Sequence, residues 1–110
     1  MAYDEQLAER IRDAVDGEPG LSEKRMFGGL AFLVGGNMAV AASGQGGLLV
    51  RIDPADAGSL THEPGAARME MRGREMDGWL RVDGEAVTGA ESLQRWVDIG
   101  VQYARSLPPK

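Results

Sequence analysis

A side chain able to take or give a proton near neutral pH is scarce in this chain. Of 110 residues one is histidine, His62, and none is cysteine. A Ser-His-acid mechanism would have to be built on His62 alone, and no serine sits in a nucleophile-elbow pattern. Asp53 and Asp56 lie near His62 in sequence and could begin a metal-ligand set. Each aspartate also falls where the start of a helix favours a carboxylate, and His62 lies in a polar stretch with Pro64-Gly65. Without thiols there is no disulfide framework and no Cys-based metal site. The chain reads as a non-enzyme that needs neither metal nor cofactor.

Recognition chemistry is better supplied. Lys24-Arg25 beside Phe27 could clamp an anionic ligand, since a guanidinium offers a bidentate fork and an aromatic ring a stacking face. The plainer reading is a strand start with solvated charges and Phe27 in the core. Arg68, Arg72, Arg74 and Arg81 could converge with Arg51 on a sheet surface and form a patch for an acidic partner or nucleic acid. Glu70, Glu75 and Asp77 are interleaved with them, so cross-strand ion pairs are the simpler use. Six methionines could make an adaptable partner surface or fill gaps in a small core. Gly44-Gln45-Gly46-Gly47 lacks the Gly-Lys-Ser/Thr ending of a phosphate loop and opens no helix, so it is a hairpin turn.

The elements that must carry these residues follow from periodicity. Asp4 can cap a helix whose apolar positions Leu7, Ile11, Ala14 and Val15 lie on one face, ended by Gly17 and Pro19. Three strands then form an antiparallel meander over residues 25–34, 38–43 and 47–53, the first bent at Gly28-Gly29, with breaks at Gly35-Gly36-Asn37 and at Ser43 to Gly47. A short helix over 54–60 starts at Pro54, and a polar loop follows over 61–67. Two more strands lie between 69 and 82. Thr88 and Glu91 read as a capping box, and Leu93, Trp96, Val97, Gly100, Val101, Ala104 and Leu107 trace an apolar stripe along a final helix. The order α-β-β-β-α-β-β-α predicts one α+β domain over residues 1–110, a two-layer sandwich with helices on one face of a five-stranded, mainly antiparallel sheet.

Net charge is −5, and residues 1–23 alone hold seven acids against two arginines. Such a chain lacks the basic footprint of a protein that binds nucleic acid by neutralising phosphates. The amino terminus is acidic where a signal peptide would be basic, and no apolar run approaches the roughly 20 residues of a membrane span. A cytoplasmic protein without a membrane partner is expected.

Lys24-Arg25-Met26-Phe27-Gly28-Gly29 entering a glycine-broken meander, Gly73-Arg74-Glu75-Met76-Asp77-Gly78-Trp79, then Leu93, Trp96, Tyr103 and Ser106-Leu107-Pro108-Pro109-Lys110 together resemble the TfoX N-terminal domain family over nearly the whole chain. The resemblance implies a fold like that of type III secretion chaperones. It also implies a regulatory association, since longer members promote natural competence by acting with transcription factors. On that resemblance the 110 residues are expected to be the N-terminal domain alone, without the C-terminal domain of those members.

If Leu80 and Val82 point to the helices, Trp79 and Arg81 point away, as Leu49 and Arg51 do beside inward Leu48, Val50 and Ile52. This uncovered face, with Arg72 and Arg74, is expected to leave Trp79 at least partly exposed and to serve self-association or a protein partner. A nucleic-acid-associated regulator using the sheet arginines is the alternative, and a small-ligand-binding domain a third reading.

Overall fold

The first helix forms because its end is satisfied and one of its faces is apolar. The carboxylate of Asp4 accepts from the backbone N–H groups of Gln6 and Leu7 at 3.0 and 3.2 Å, two of the donors a helix start leaves without partners. Helix α1, Glu5–Ala14, then buries Leu7, Ala8 and Ile11. The computed structural model describes residues 3–26, 28–71 and 73–109, the side chains of Met71 and Asp77 excepted.

The rest is an α+β arrangement of an antiparallel sheet and two further helices. The strands are β1 (Leu21–Met26), β2 (Gly29–Val34), β3 (Asn37–Ala42), β4 (Leu48–Arg51), β5 (Ala66–Met71) and β6 (Arg74–Val82). Across the sheet they run β1-β2-β3-β4-β6-β5. A 3-10 turn at Pro54–Asp56 and helix α2, Ala57–Leu60, connect β4 to β5, and a second 3-10 turn at Gly84–Val87 leads into helix α3, Ala90–Ser106.

The described sheet therefore has six strands, where five were expected. The difference lies at Gly28-Gly29, which is a chain reversal and not a bend. Gly28 has φ of 77°, Met26 pairs with Gly29, and a Cβ on Gly29 would lie 2.3 Å from the carbonyl oxygen of Ala42. Only glycine fits both demands, and the range 25–34 becomes a hairpin whose first strand begins at Leu21. Gly35 and Gly36, at φ of 60° and 83°, make the next reversal as a two-residue turn with both residues at positive φ. The capping box also gives way. The N-cap of α3 is Gly89, one residue later than Thr88, whose hydroxyl instead donates to the carbonyl of Glu85 at 3.2 Å.

Leu7 and Ile11 of α1, Trp96, Val97 and Val101 of α3, and Phe32, Val40, Val50, Ile52 and Leu80 of the strands form one buried cluster. The seat of α3 is Gly100. A Cβ there would stand 2.4 Å from the Ala39 carbonyl oxygen and 2.8 Å from Val40 Cγ1, so the helix backbone rests directly on β3. Past the helix, Asn37, 3% exposed, donates through Nδ2 to the Pro108 carbonyl at 3.0 Å and ties the carboxyl-terminal segment to the β2–β3 turn.

Guanidinium pairs join the elements at the surface. Arg12 of α1 grips Glu23 of β1 at 2.7 and 2.8 Å, Arg95 of α3 grips Glu63 at 2.5 Å through both nitrogens, and Arg105 donates from Nε to Glu18 at 2.8 Å. Hydrogen bonds from Arg105 hold the Glu18 carboxyl below its ordinary value, and those from Arg12 do the same for Glu23.

Four substitutions check this packing. In an open helix Gly→Ala gains about 1 kcal/mol of propensity, and Gly58→Ala, with no neighbour near its added methyl, should stabilise by about 0.5 kcal/mol. Gly100→Ala should instead lose about 2 kcal/mol in urea denaturation, since overpacking outweighs propensity. Trp96, 3% exposed, should cost about 3 to 5 kcal/mol on truncation to alanine. A depressed carboxyl contributes stability that is present above the unfolded value of 4.5 and vanishes as pH falls through the folded value. Parent and Glu18→Gln should therefore differ in midpoint at pH 7 and converge as the solution is acidified.

Candidate interaction surface

Alternation along the strands sorts side chains between two faces. Leu48, Val50 and Leu80 enter the buried cluster, so their neighbours Leu49, Arg51, Trp79 and Arg81 emerge on the other side. The register brings these four together: Leu49 stands opposite Arg81, and Arg51 opposite Trp79. Around them lies a shallow basin of about 510 Å³, lined by Met26, Leu33, Met38, Leu49, Met69, Met76 and Trp79, with Lys24 and Arg51 as its cations.

Two register shifts build this basin. On β3, Leu33 pairs with Met38 and Phe32 with Val40, leaving Ala39 as the extra residue of a bulge. Met38 and Val40, two apart, would otherwise share the buried face; the bulge turns Met38 outward. On β6, Leu80 pairs with Arg68 but Met76 already pairs with the next residue, Met69, and Met76 is thereby brought to the same face as Trp79. Bulges that re-aim single side chains recur beside functional sites.

Arg51 is held by aromatic rings. Its guanidinium carbon lies 5.4 Å from the Trp79 ring centroid and 5.8 Å from that of Tyr103 on α3, within cation–π range of both. Trp79 is half-buried. Arg81 is committed differently: it donates to Gln45 Oε1 at 2.9 Å and to the Gly46 carbonyl at 3.2 Å, bracing the turn between β3 and β4. Arg74 is exposed, two residues before Met76 and on its face. Arg68, opposite Leu80, belongs to the other face.

The proposed anion clamp is split. Lys24 pairs with Ala31 on the basin side, whereas Arg25 pairs with Leu30, whose side chain is buried, so the two basic residues point to opposite faces. Phe27 and Arg72 lie outside the described residues. Asp53 caps the turn at Pro54–Asp56 by accepting from the Ala55 N–H at 3.0 Å, and His62 is exposed. Among the described residues no group of three or more histidines, aspartates and glutamates is placed to hold a metal. The stretch 44–47 is a turn closed by Gly46 N–H to the Ser43 carbonyl at 3.0 Å. The sequence reading missed Met26, Leu33 and Met38 as basin residues. Period 2 through Leu30, Phe32 and Val34 signals Leu33, but nothing in the composition announces the bulge that exposes Met38.

Removing the Arg81 brace should loosen that turn. Arg81→Ala is expected to cost about 1 kcal/mol and to speed amide exchange at Ser43 and Gly46 while the amides of α1 keep their protection.

The TfoX N-terminal domain family model matches residues 5–104. No curated protein and no solved structure matches the chain. Among the described residues, no helix is long and apolar enough to cross a membrane.

Proposed function

We propose, for a chain that belongs to the TfoX N-terminal domain family, that it is a non-enzymatic protein-interaction module and that the uncovered sheet face is its contact surface. The observation that carries this reading is the basin itself: two bulges turn Met38 and Met76 out of the core and set them around half-buried Trp79. A fold that gained only stability from its methionines would keep them inside. Partly exposed apolar surface concentrated around an aromatic and an arginine is instead the composition of contact surfaces. Methionine adapts to irregular partners. A regulatory role alongside transcription factors, as in longer members of the family, fits a module of this kind. The non-enzymatic part of the proposal rests on the residue inventory, one exposed histidine and no thiol.

Association with nucleic acid is the second reading, favoured by the Arg51–Trp79 stack, which offers a cation and a ring on one surface. The two differ in salt response. Phosphate-driven binding weakens steeply with salt, in proportion to the phosphates neutralised; contacts centred on apolar residues do not.

The deciding experiment is affinity capture with parent and Trp79→Ala, the fold of each checked by circular dichroism. Trp79→Ala should remain folded, losing about 1 kcal/mol because the ring is only half-buried, and should lose a protein that the parent retains at raised salt. Equal capture by both proteins would remove the sheet face from the proposal.

A further inference from the structure

The basin face and the helix layer carry opposite charge. Among the described side chains, the strand positions on the basin side include Lys24, Arg51, Arg74 and Arg81 and no carboxylate. The described strand acids lie on the other side: Glu23 pairs with Arg12 of α1, and Glu70 stands opposite Glu75, each one position out of step with basin residues. Yet the chain as a whole has a net charge of −5, with Glu5, Glu9 and Asp13 exposed along α1. A molecule with this distribution repels an acidic partner from its helix layer and attracts it at the sheet, which fixes orientation as well as place.

We infer that the occupant of the basin is an acidic peptide segment of a partner protein, bearing large apolar anchors that insert among the methionines. The inference rests on the proposed role of the sheet face and adds its ligand class. Lys24 is exposed, and Arg51 is half-buried between two rings with no carboxylate on it among the described residues, so a carboxylate arriving there gains a charge-assisted bond in a partly desolvated setting. A second copy of this chain fits less well. A two-fold face-to-face pair sets one patch against the same patch, and this patch brings cations with no described carboxylate to meet them. Nucleic acid also fits less well, because beyond Trp79 and the Arg51 guanidinium the lining is methionine and leucine where successive bases need planar stacking surfaces, and each terminal nitrogen of Arg81 already donates within the protein, to Gln45 and Gly46.

The test is a selection of random peptides of about 16 residues, a length that spans a groove of this kind, displayed on phage against the whole chain with Trp79→Ala as the counter-target. The enriched peptides should be acidic with two or more large apolar residues. A synthetic copy should bind the parent at least about tenfold more tightly than Trp79→Ala, and the charge-removing pair Lys24→Gln and Arg51→Gln should weaken it while circular dichroism stays unchanged. Neutral or basic peptides that still require Trp79 would overturn the acidic class and leave the sheet face standing as a contact surface. An empty selection, or binders indifferent to Trp79, would overturn both. Self-association by light scattering that Trp79→Ala abolishes would make a second copy the occupant. Trp79-dependent binding of a fluorescent oligothymidylate with a steep salt slope would make it nucleic acid.

Discussion

The backbone of Gly100 lies against the carbonyl of Ala39, and the seating of the long helix on the sheet depends on that contact. With a side chain at either surface the two backbones would stand farther apart, and Trp96, Val97 and Val101 would not reach the cluster that also holds Val40 and Val50. Interiors are packed closely enough that such a displacement leaves voids along the whole helix. The cost of glycine in a helix, about 1 kcal/mol, is thereby offset by the burial it permits over four turns. Ala39 is also the extra residue of the β3 bulge. One residue therefore both receives the helix and reverses the face of Met38, so the core and the basin are set by the same irregularity.

Charge is arranged on this frame in two different ways. On the helix side, arginines meet glutamates from other elements, Arg12 with Glu23, Arg95 with Glu63 and Arg105 with Glu18. Exposed pairs of this type contribute little each. Their consequence is positional, since each one joins a helix to a strand or loop distant in sequence. On the basin side the cations meet rings or backbone: Arg51 lies between Trp79 and Tyr103, and Arg81 holds a turn. Positive charge is thus retained at the sheet surface without being neutralised there by the protein's own described carboxylates.

Much of the frame was legible in the residues because it depends on local rules. Asp4 as a cap, the inward set Leu48, Val50 and Ile52, and the buried stripe through Trp96 each need only a period and a few neighbours. The errors came where a decision is made across the sheet. Gly28-Gly29 reads equally as a bend or a reversal until Ala42 is known to lie beside it. Thr88 loses its capping role because its hydroxyl is taken by Glu85, a competition between two local motifs of similar strength. Asn37 gave no signal that it would be buried, as its partner, the Pro108 carbonyl, lies 71 residues away. Of the candidate site, the grouping of Leu49, Arg51, Trp79 and Arg81 followed from alternation, whereas Met38 and Met76, which complete it, depend on bulges that alternation cannot foresee.

The uncovered face is in the end a matter of how few helices there are and where they lie. Six strands about 4.8 Å apart present a sheet whose two faces each need cover if both are apolar. One long helix, α3, one of ordinary length, α1, and the four residues of α2 contribute their buried side chains to the cluster on one side. The other side is left to its own side chains. Alternation could have made it fully polar, the usual solution for an antiparallel sheet with one wet face. This chain places leucine, methionine and tryptophan at its centre and confines the polarity there to cations. Against a water-facing role, that composition costs solubility; against a partner that supplies apolar anchors and carboxylates, each group on the face gains a complement. The physical asymmetry of the two faces, one sealed by its helices and the other apolar, basic and open, is what the proposed recognition role rests on.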